Sequence, residues 1–187
     1  MKFISKLLAV FLMAGLISVC LTQGVGAEST DEEMAALMTK AEQGDAIAQH
    51  DLGFMYFEGK GIRQDLEKAV YWFTKAAEQD NDSAQHNLGF MYSEGKGVQQ
   101  NFEKAVYWYT KAAEQGAWFA QYNLGVIHSK VQDYVTAYAW FNLAASQDKD
   151  IAKGARETLL KKMSPDQIEE GQKLSRELYD NIHKQAD

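Results

Sequence analysis

Ala48-Gln49-His50-Asp51-Leu52-Gly53-Phe54-Met55-Tyr56 returns as Ala84-Gln85-His86-Asn87-Leu88-Gly89-Phe90-Met91-Tyr92, and again, altered, as Ala120-Gln121-Tyr122-Asn123-Leu124-Gly125-Val126-Ile127-His128. Both steps are 36 residues, from Ala48 to Ala84 and from Ala84 to Ala120. Self-similarity at such a period marks stacked units, each unable to bury its apolar face without a neighbour. The expected fold is therefore all-α: a right-handed α–α superhelix, a solenoid of helical hairpins. Stacks of this kind offer surfaces to partners more readily than pockets to substrates.

Each unit reads as two helices around a glycine-rich turn. Asp45 and Asn81 suit the N-cap of the first helix, and Asp65 and Asn101 that of the second, because their short polar side chains can accept from free backbone N–H groups. The first helix runs from Ala46 to Glu58, with Ala48, Leu52 and Met55 or Tyr56 on one face. Gly53, Gly89 and Gly125 sit inside it, where glycine costs about 1 kcal/mol relative to alanine. Their return predicts that a side chain there would strike the neighbouring helix. Glu58-Gly59-Lys60-Gly61 and Glu94-Gly95-Lys96-Gly97 end the first helices, since glycine accepts the left-handed backbone of a helix terminus. A phosphate loop is excluded: it needs Gly-Lys-Ser/Thr opening a helix after a strand.

The second helix carries Glu67 through Ala77 in the first unit and Glu103 through Ala113 in the second. Ala69, Ala76 and Ala77 let helices approach, and Trp72 or Phe73 fills the space between them. Trp72, Trp108 and Trp140 are equivalent and read as core rather than as a cofactor site. The third unit is shorter: Ala144-Ala145 follows Ala112-Ala113 after 32 residues. Its Ser129-Lys130-Val131-Gln132-Asp133 makes a tighter connection. The boundaries are a cap helix at 30–44, units at 45–80, 81–116 and 117–148, and capping helices at 149–187, together a repeat domain of residues 28–187. The last helix opens at Ser164-Pro165-Asp166-Gln167 with a capping box and is expected to bury Ile168, Leu174, Leu178 and Ile182.

Residues 1–27 read as a signal peptide. Lys2 and Lys6 precede an apolar run from Leu7 to Leu21, and small residues lead to Ala27. The run is short for a membrane span of ~20 residues. The expected location is therefore outside the cytoplasm, in the periplasm first, with secretion or a lipid anchor at Cys20 as alternatives. Cys20 is the only cysteine, so the processed chain would have neither disulfides nor thiolate chemistry. The full chain has 19 basic and 26 acidic residues and a net charge of −7. Removing Lys2 and Lys6 leaves 17 basic against 26 acidic, a net −9. That balance argues against nucleic acid and against adsorption to anionic membrane.

At the quoted blocks the chain resembles a Sel1-like repeat protein, a relative of the tetratricopeptide repeats. The shared pattern is Ala-x-x-x-Leu-Gly-x-x-Tyr, then Gly-x-Gly, then Lys-Ala-x-x-Trp-Tyr/Phe-x-Lys-Ala-Ala, and it covers about Asp31 to Gln147. The third unit departs from it in its turn, in His128 for Tyr, and in lacking the Lys before Ala144-Ala145. The resemblance implies an adaptor: an exported interaction module that binds a protein or peptide on its concave face. In related arrays the first helices line that face. Carried over, the groove takes His50, Phe54, Phe57, His86, Phe90, Ser93, Tyr122, Val126 and Ser129. A row of aromatics and imidazoles suits a helix or an extended segment. The competing expectation is that Phe54 and Phe90 pack into the core or under a terminal helix.

The alternative function is a periplasmic immunity protein that neutralises a secreted toxin; a hydrolase is a third. No Gly-x-Ser-x-Gly, Ser-x-x-Lys or His-Glu-x-x-His occurs, and repeated acids such as Glu58 and Glu94 read as solvated faces. The protein is therefore expected not to be an enzyme and to carry no cofactor. His50 and His86, with Tyr122 in the third place, do not make the four-ligand set zinc prefers, so no metal site is expected.

Overall fold

The computed structural model describes residues 32–184, so the signal-like residues 1–27 and the start of the cap helix lie outside it. Within that range the fold is all-helical and builds the right-handed α–α superhelix. A leading helix α1 covers residues 32–42. Three hairpins follow: α2 (Ala46–Glu58) with α3 (Leu66–Ala77), α4 (Asp82–Glu94) with α5 (Phe102–Glu114), and α6 (Trp118–Lys130) with α7 (Tyr134–Ser146). The chain closes with α8 (Asp150–Leu160) and α9 (Pro165–Lys184).

The caps form where the short polar residues stand. Asp45 accepts from the Ala48 N–H and Asn81 from the Ala84 N–H, both at 2.8 Å. Asp65, Asn101 and Asp133 do the same for the second helices. Gly59 and Gly95 end α2 and α4 with φ of 71° and 66°. The third unit manages without glycine: Gln132 takes the left-handed backbone, and the Asp133 N–H donates to the His128 carbonyl at 3.0 Å.

Hairpins close on a glycine–aromatic contact. A Cβ on Gly53 would lie 2.8 Å from Phe73, one on Gly89 2.8 Å from Tyr109, and one on Gly125 2.6 Å from Phe141. Such distances are shorter than real Cβ contacts, so the glycine is what brings the first helix against its partner. The residue after each tryptophan thus fills the hairpin. Trp72 and Trp108 are only half-buried and pack against the first cluster of the core. Leu52, Leu88 and Leu124 are fully buried, each contributing about 1.5–3 kcal/mol of apolar burial. Alanines 69, 76, 77, 105, 112 and 113 line the close helix contacts.

Between hairpins runs a buried glutamine relay. Gln49, Gln85 and Gln121 each donate to the carbonyl eight residues earlier, on Ala41, Ala77 and Ala113. Each then accepts from a second glutamine at the end of its unit: Gln79 at 2.7 Å, Gln115 at 2.8 Å and Gln147 at 3.2 Å. The polar groups bury at low cost because both ends are satisfied.

The C-terminal helices do not form a fourth hairpin. Both pack on α7 and scarcely touch one another. α8 stands where the next unit's first helix would, while α9 turns back along α7. Gly171 and Ser175 are buried in the seam. A Cβ on Gly171 would lie 2.8 Å from Tyr138, and the Asn142 amide donates to the Ser175 hydroxyl at 3.0 Å. Leu178 and Ile182 pack against the cluster that holds Tyr109, Leu124 and Trp140. The seam is therefore centred on small residues, with Ile168 and Leu174 at partial burial. Ser164 and Gln167 form the reciprocal capping box, with bonds of 3.0 and 3.2 Å.

Candidate functional site: the face of the first helices

The face presented by α2, α4 and α6 divides into two apolar regions. In the first, Phe54 is 44% exposed. Its ring stands 6.4 Å from His50 and 6.4 Å from Phe57, and Phe57 meets Phe90 edge-on at 6.1 Å. Beside them lies a cavity of about 250 Å³ lined by Phe57, Phe73, His86, Asn87, Phe90 and Met91. The Lys96 ammonium lies over two of these rings, 4.6 Å from Phe90 and 5.6 Å from Phe57. Lysine stems bury along apolar surface in this way while the charged head stays near water.

In the second region Tyr122, Val126 and Ser129 line a cavity of about 340 Å³ whose far wall is α8. Tyr122 stands 5.6 Å from Phe141, and both Tyr122 and Val126 pack on the cluster of Ala137, Tyr138, Phe141 and Leu159. The nine residues expected to form one groove are thus distributed. Phe54, Phe57 and Phe90 cluster together; Tyr122, Val126 and Ser129 gather under α8. Ser93 belongs to neither. It is buried beneath the turn that follows α4: its hydroxyl donates to the Phe90 carbonyl at 3.0 Å, and the Gln100 amide donates to the Ser93 carbonyl at 2.8 Å. Sequence register puts Ser93 level with Phe57, and the turn after α2 is held in the same way, with the Gln64 amide donating to the Phe57 carbonyl at 2.9 Å.

The two histidines bridge units. Nε2 of His50 accepts from the Asn87 amide at 3.2 Å, and Nε2 of His86 accepts from Asn123 at 3.0 Å. Nδ1–H of His50 is 3.1 Å from Asp51. His86 also meets Phe119 at 4.6 Å and Tyr109 at 5.5 Å. Burial holds its pKa below the ordinary 6.5, opposed by Asn87 and Asp82. Burial likewise pushes the Tyr109 phenol up to about 12, with Ser93 opposing. Among the described residues, no group of three or more His, Cys, Asp or Glu is placed to hold a metal ion.

Lys96, Asn87 and Asn123 escaped the sequence reading. Lys96 stands in the repeated Glu-Gly-Lys-Gly turn, whose return the glycines alone account for. The asparagines follow His86 and Tyr122 in the quoted blocks, so the partner of each histidine lay one unit and one residue onward.

A chain of tandem helical hairpins with this glycine–aromatic closure belongs to a known class. The Sel1 repeat family model matches residues 46–81, 82–116 and 118–149, more than half of the chain. The protein is a member of the Sel1 repeat family. Sel1 repeat proteins act as protein–protein interaction modules.

Among solved structures it is similar to c5321, a protective antigen present in uropathogenic Escherichia coli strains displaying an SLR fold, with a TM-score of 0.76 and 37% identity, covering 83% of this chain and 34% of that one. It is also similar to a Sel1 repeat protein from Oxalobacter formigenes, with a TM-score of 0.63 and 33% identity, covering 70% of this chain and 56% of that one. Over 47 residues it is 45% identical to HRD3B, an ERAD-associated E3 ubiquitin-protein ligase component of Arabidopsis thaliana. That match takes in 25% of this chain and spans 8% of the plant protein's length.

Proposed function

We propose that the protein is an exported adaptor that holds a segment of a partner protein on the face of its first helices. One observation carries the reading: Phe54 stands 44% exposed beside the Phe57–Phe90 pair and its cavity. Large apolar rings left in water at the mouth of a depression mark interaction sites on soluble proteins. The signal-like residues 1–27 support export, with the periplasm as destination. The description of the plant relative as a component of a ligase is in keeping with a role inside an assembly.

The test is affinity capture from envelope extracts with the processed chain and with Phe54→Ala. Because Phe54 is exposed, the variant is expected to keep its melting temperature and lose the partner. Capture by Phe54→Ala equal to that by the unaltered protein would overturn the reading.

A further inference from the structure

From the contacts that join one unit to the next we infer what the N-terminal end of the stack binds: an amphipathic α-helix of a partner, carrying a basic residue and seated against α1 and α2 in the place of a preceding unit's first helix. This helix would be the segment that the adaptor reading puts at Phe54, so the inference rests on that reading and adds shape and charge to it.

α1 is the second helix of an incomplete unit. The Gln49 amide donates to the Ala41 carbonyl as Gln85 does to Ala77 and Gln121 to Ala113. The Asp45 N–H donates to the Lys40 carbonyl as Asn81 does to Ala76. α1 therefore stands to α2 as α3 stands to α4. Each later second helix closes on a first helix of its own; among the described residues α1 has none. Leu37 holds the place of Phe73, Tyr109 and Phe141, the rings that fill the later hairpins. Those rings are buried, whereas Leu37 is half-buried.

α2 leaves exposed what α4 and α6 cover. Ile47 is 69% exposed, and its counterparts Ser83 and Phe119 are half-buried. Asp51 and Phe54 are exposed, and Asn87, Asn123, Phe90 and Val126 at the same places are half-buried. In the later units this side meets the preceding first helix. Asn87 donates to His50, and Asn123 to His86. Phe90 stands 6.1 Å from Phe57, and Phe119 4.6 Å from His86. The side of a first helix that carries Phe54 has thus accepted a parallel helix twice within this chain, and the end unit presents it uncovered. A helix is the occupant it fits, read as anchors spaced by whole turns.

Two departures from the repeat set the occupant's charge. Asp51 stands where the later units have asparagine. An ionised carboxylate only accepts, so the side chain facing it must donate; its Oδ1 already meets Nδ1 of His50 on the same helix at 3.1 Å. Glu33, exposed, stands where the later units have the buried alanines 69, 105 and 137. A cation on the incoming helix complements both carboxylates.

The probe is a stapled helical peptide with the sequence of residues 45–58 and the change His50→Arg. By the contacts of α2 on α4, it sets its arginine opposite Asp51 and its Phe57 against Phe54. Binding to the processed protein is read by fluorescence anisotropy, and the Ile47 methyl resonance reports the place. The peptide is expected to shift Ile47 and to bind roughly tenfold or more weakly to Phe54→Ala. Asp51→Lys is expected to abolish binding, and a second peptide with His50→Glu to restore it to that variant, with the melting temperature of both variants unchanged.

Equal binding of the arginine peptide by the unaltered protein and by Asp51→Lys would overturn the proposal. So would a peptide that leaves Ile47 unmoved or that binds Phe54→Ala undiminished. An Ile47 signal that moves with the concentration of the protein alone would give the surface to a second copy and overturn it too. Partner capture with Phe54→Ala uses no peptide and judges the adaptor reading separately: its loss, together with any of these failures, leaves that reading standing.

Discussion

Gly53, Gly89 and Gly125 show how a single missing atom sets a helix distance. Each faces a buried ring of the partner helix: Phe73 and Tyr109 are 1% and 2% exposed. Gly89→Leu is expected to lose about 1–3 kcal/mol through overpacking, measured by denaturant unfolding. Gly154 is the internal contrast. It is also helical, but a Cβ there meets nothing within 4 Å. Gly154→Ala is expected to gain up to about 1 kcal/mol from helix propensity alone. Gly97 adds a different constraint. Its φ is 68°, and a Cβ there would run into the Leu66 carbonyl of the preceding unit, so it serves as turn and inter-unit contact together. The packing role of the helical glycines was legible in the sequence because a costly residue returned at a fixed period. Whether Trp72 or Phe73 filled the hairpin was not, since adjacent helix positions differ by only about 100° and the choice depends on how the two helices are rotated.

At the scale of helices, the histidine and glutamine bridges couple one unit to the next. Nε2 of His86 must be unprotonated to accept from Asn123, and burial disfavours its charged form. Its pKa is depressed on folding, so below 6.5 the unfolded chain binds the proton more readily than the folded one. The contribution of the neutral ring is complete above pH 6.5 and is lost as pH falls below it toward the depressed folded value. Denaturant midpoints are expected to fall between pH 7.5 and pH 5, and by less in His86→Gln. An equal drop in both proteins would remove His86 from the account. The glutamine relay was present in the quoted blocks at Gln49, Gln85 and Gln121. Its meaning was not readable, because the acceptor carbonyls belong to the preceding unit and the second glutamines stand 30, 30 and 26 residues away.

At the scale of the whole molecule, α9 decides where the stack ends. On α3 and α5 the outward positions are Tyr71 with Lys75 and Tyr107 with Lys111, all exposed. On α7 the equivalent positions are Ala139 and Leu143, both buried, and α9 covers this helix. Leu143→Ala is expected to cost about 2–5 kcal/mol, while Lys111→Ala on the uncovered helix should stay within roughly 0.5 kcal/mol; thermal or denaturant melts distinguish them. The missing lysine before Ala144-Ala145 was visible as a departure from the pattern. That it marks the footprint of a returning helix is a tertiary fact, and α9 lies some 30 residues further on. The groove of nine residues expected from register belongs to the same scale. Register placed them in line; in the structure α8 forms the far wall of the cavity at Tyr122, Val126 and Ser129, and Ser93 is buried.

The substitutions on α7 also bear on how such a chain can lengthen. A duplicated copy of residues 81–116 inserted before Ala117 would meet, on either side, the surfaces that already join unit to unit, and α9 would keep its berth. The same copy placed after Gln147 would separate α8 from α7 and present α9 with Tyr and Lys where it needs Ala and Leu. Growth of this array is therefore confined to its interior, upstream of the third hairpin.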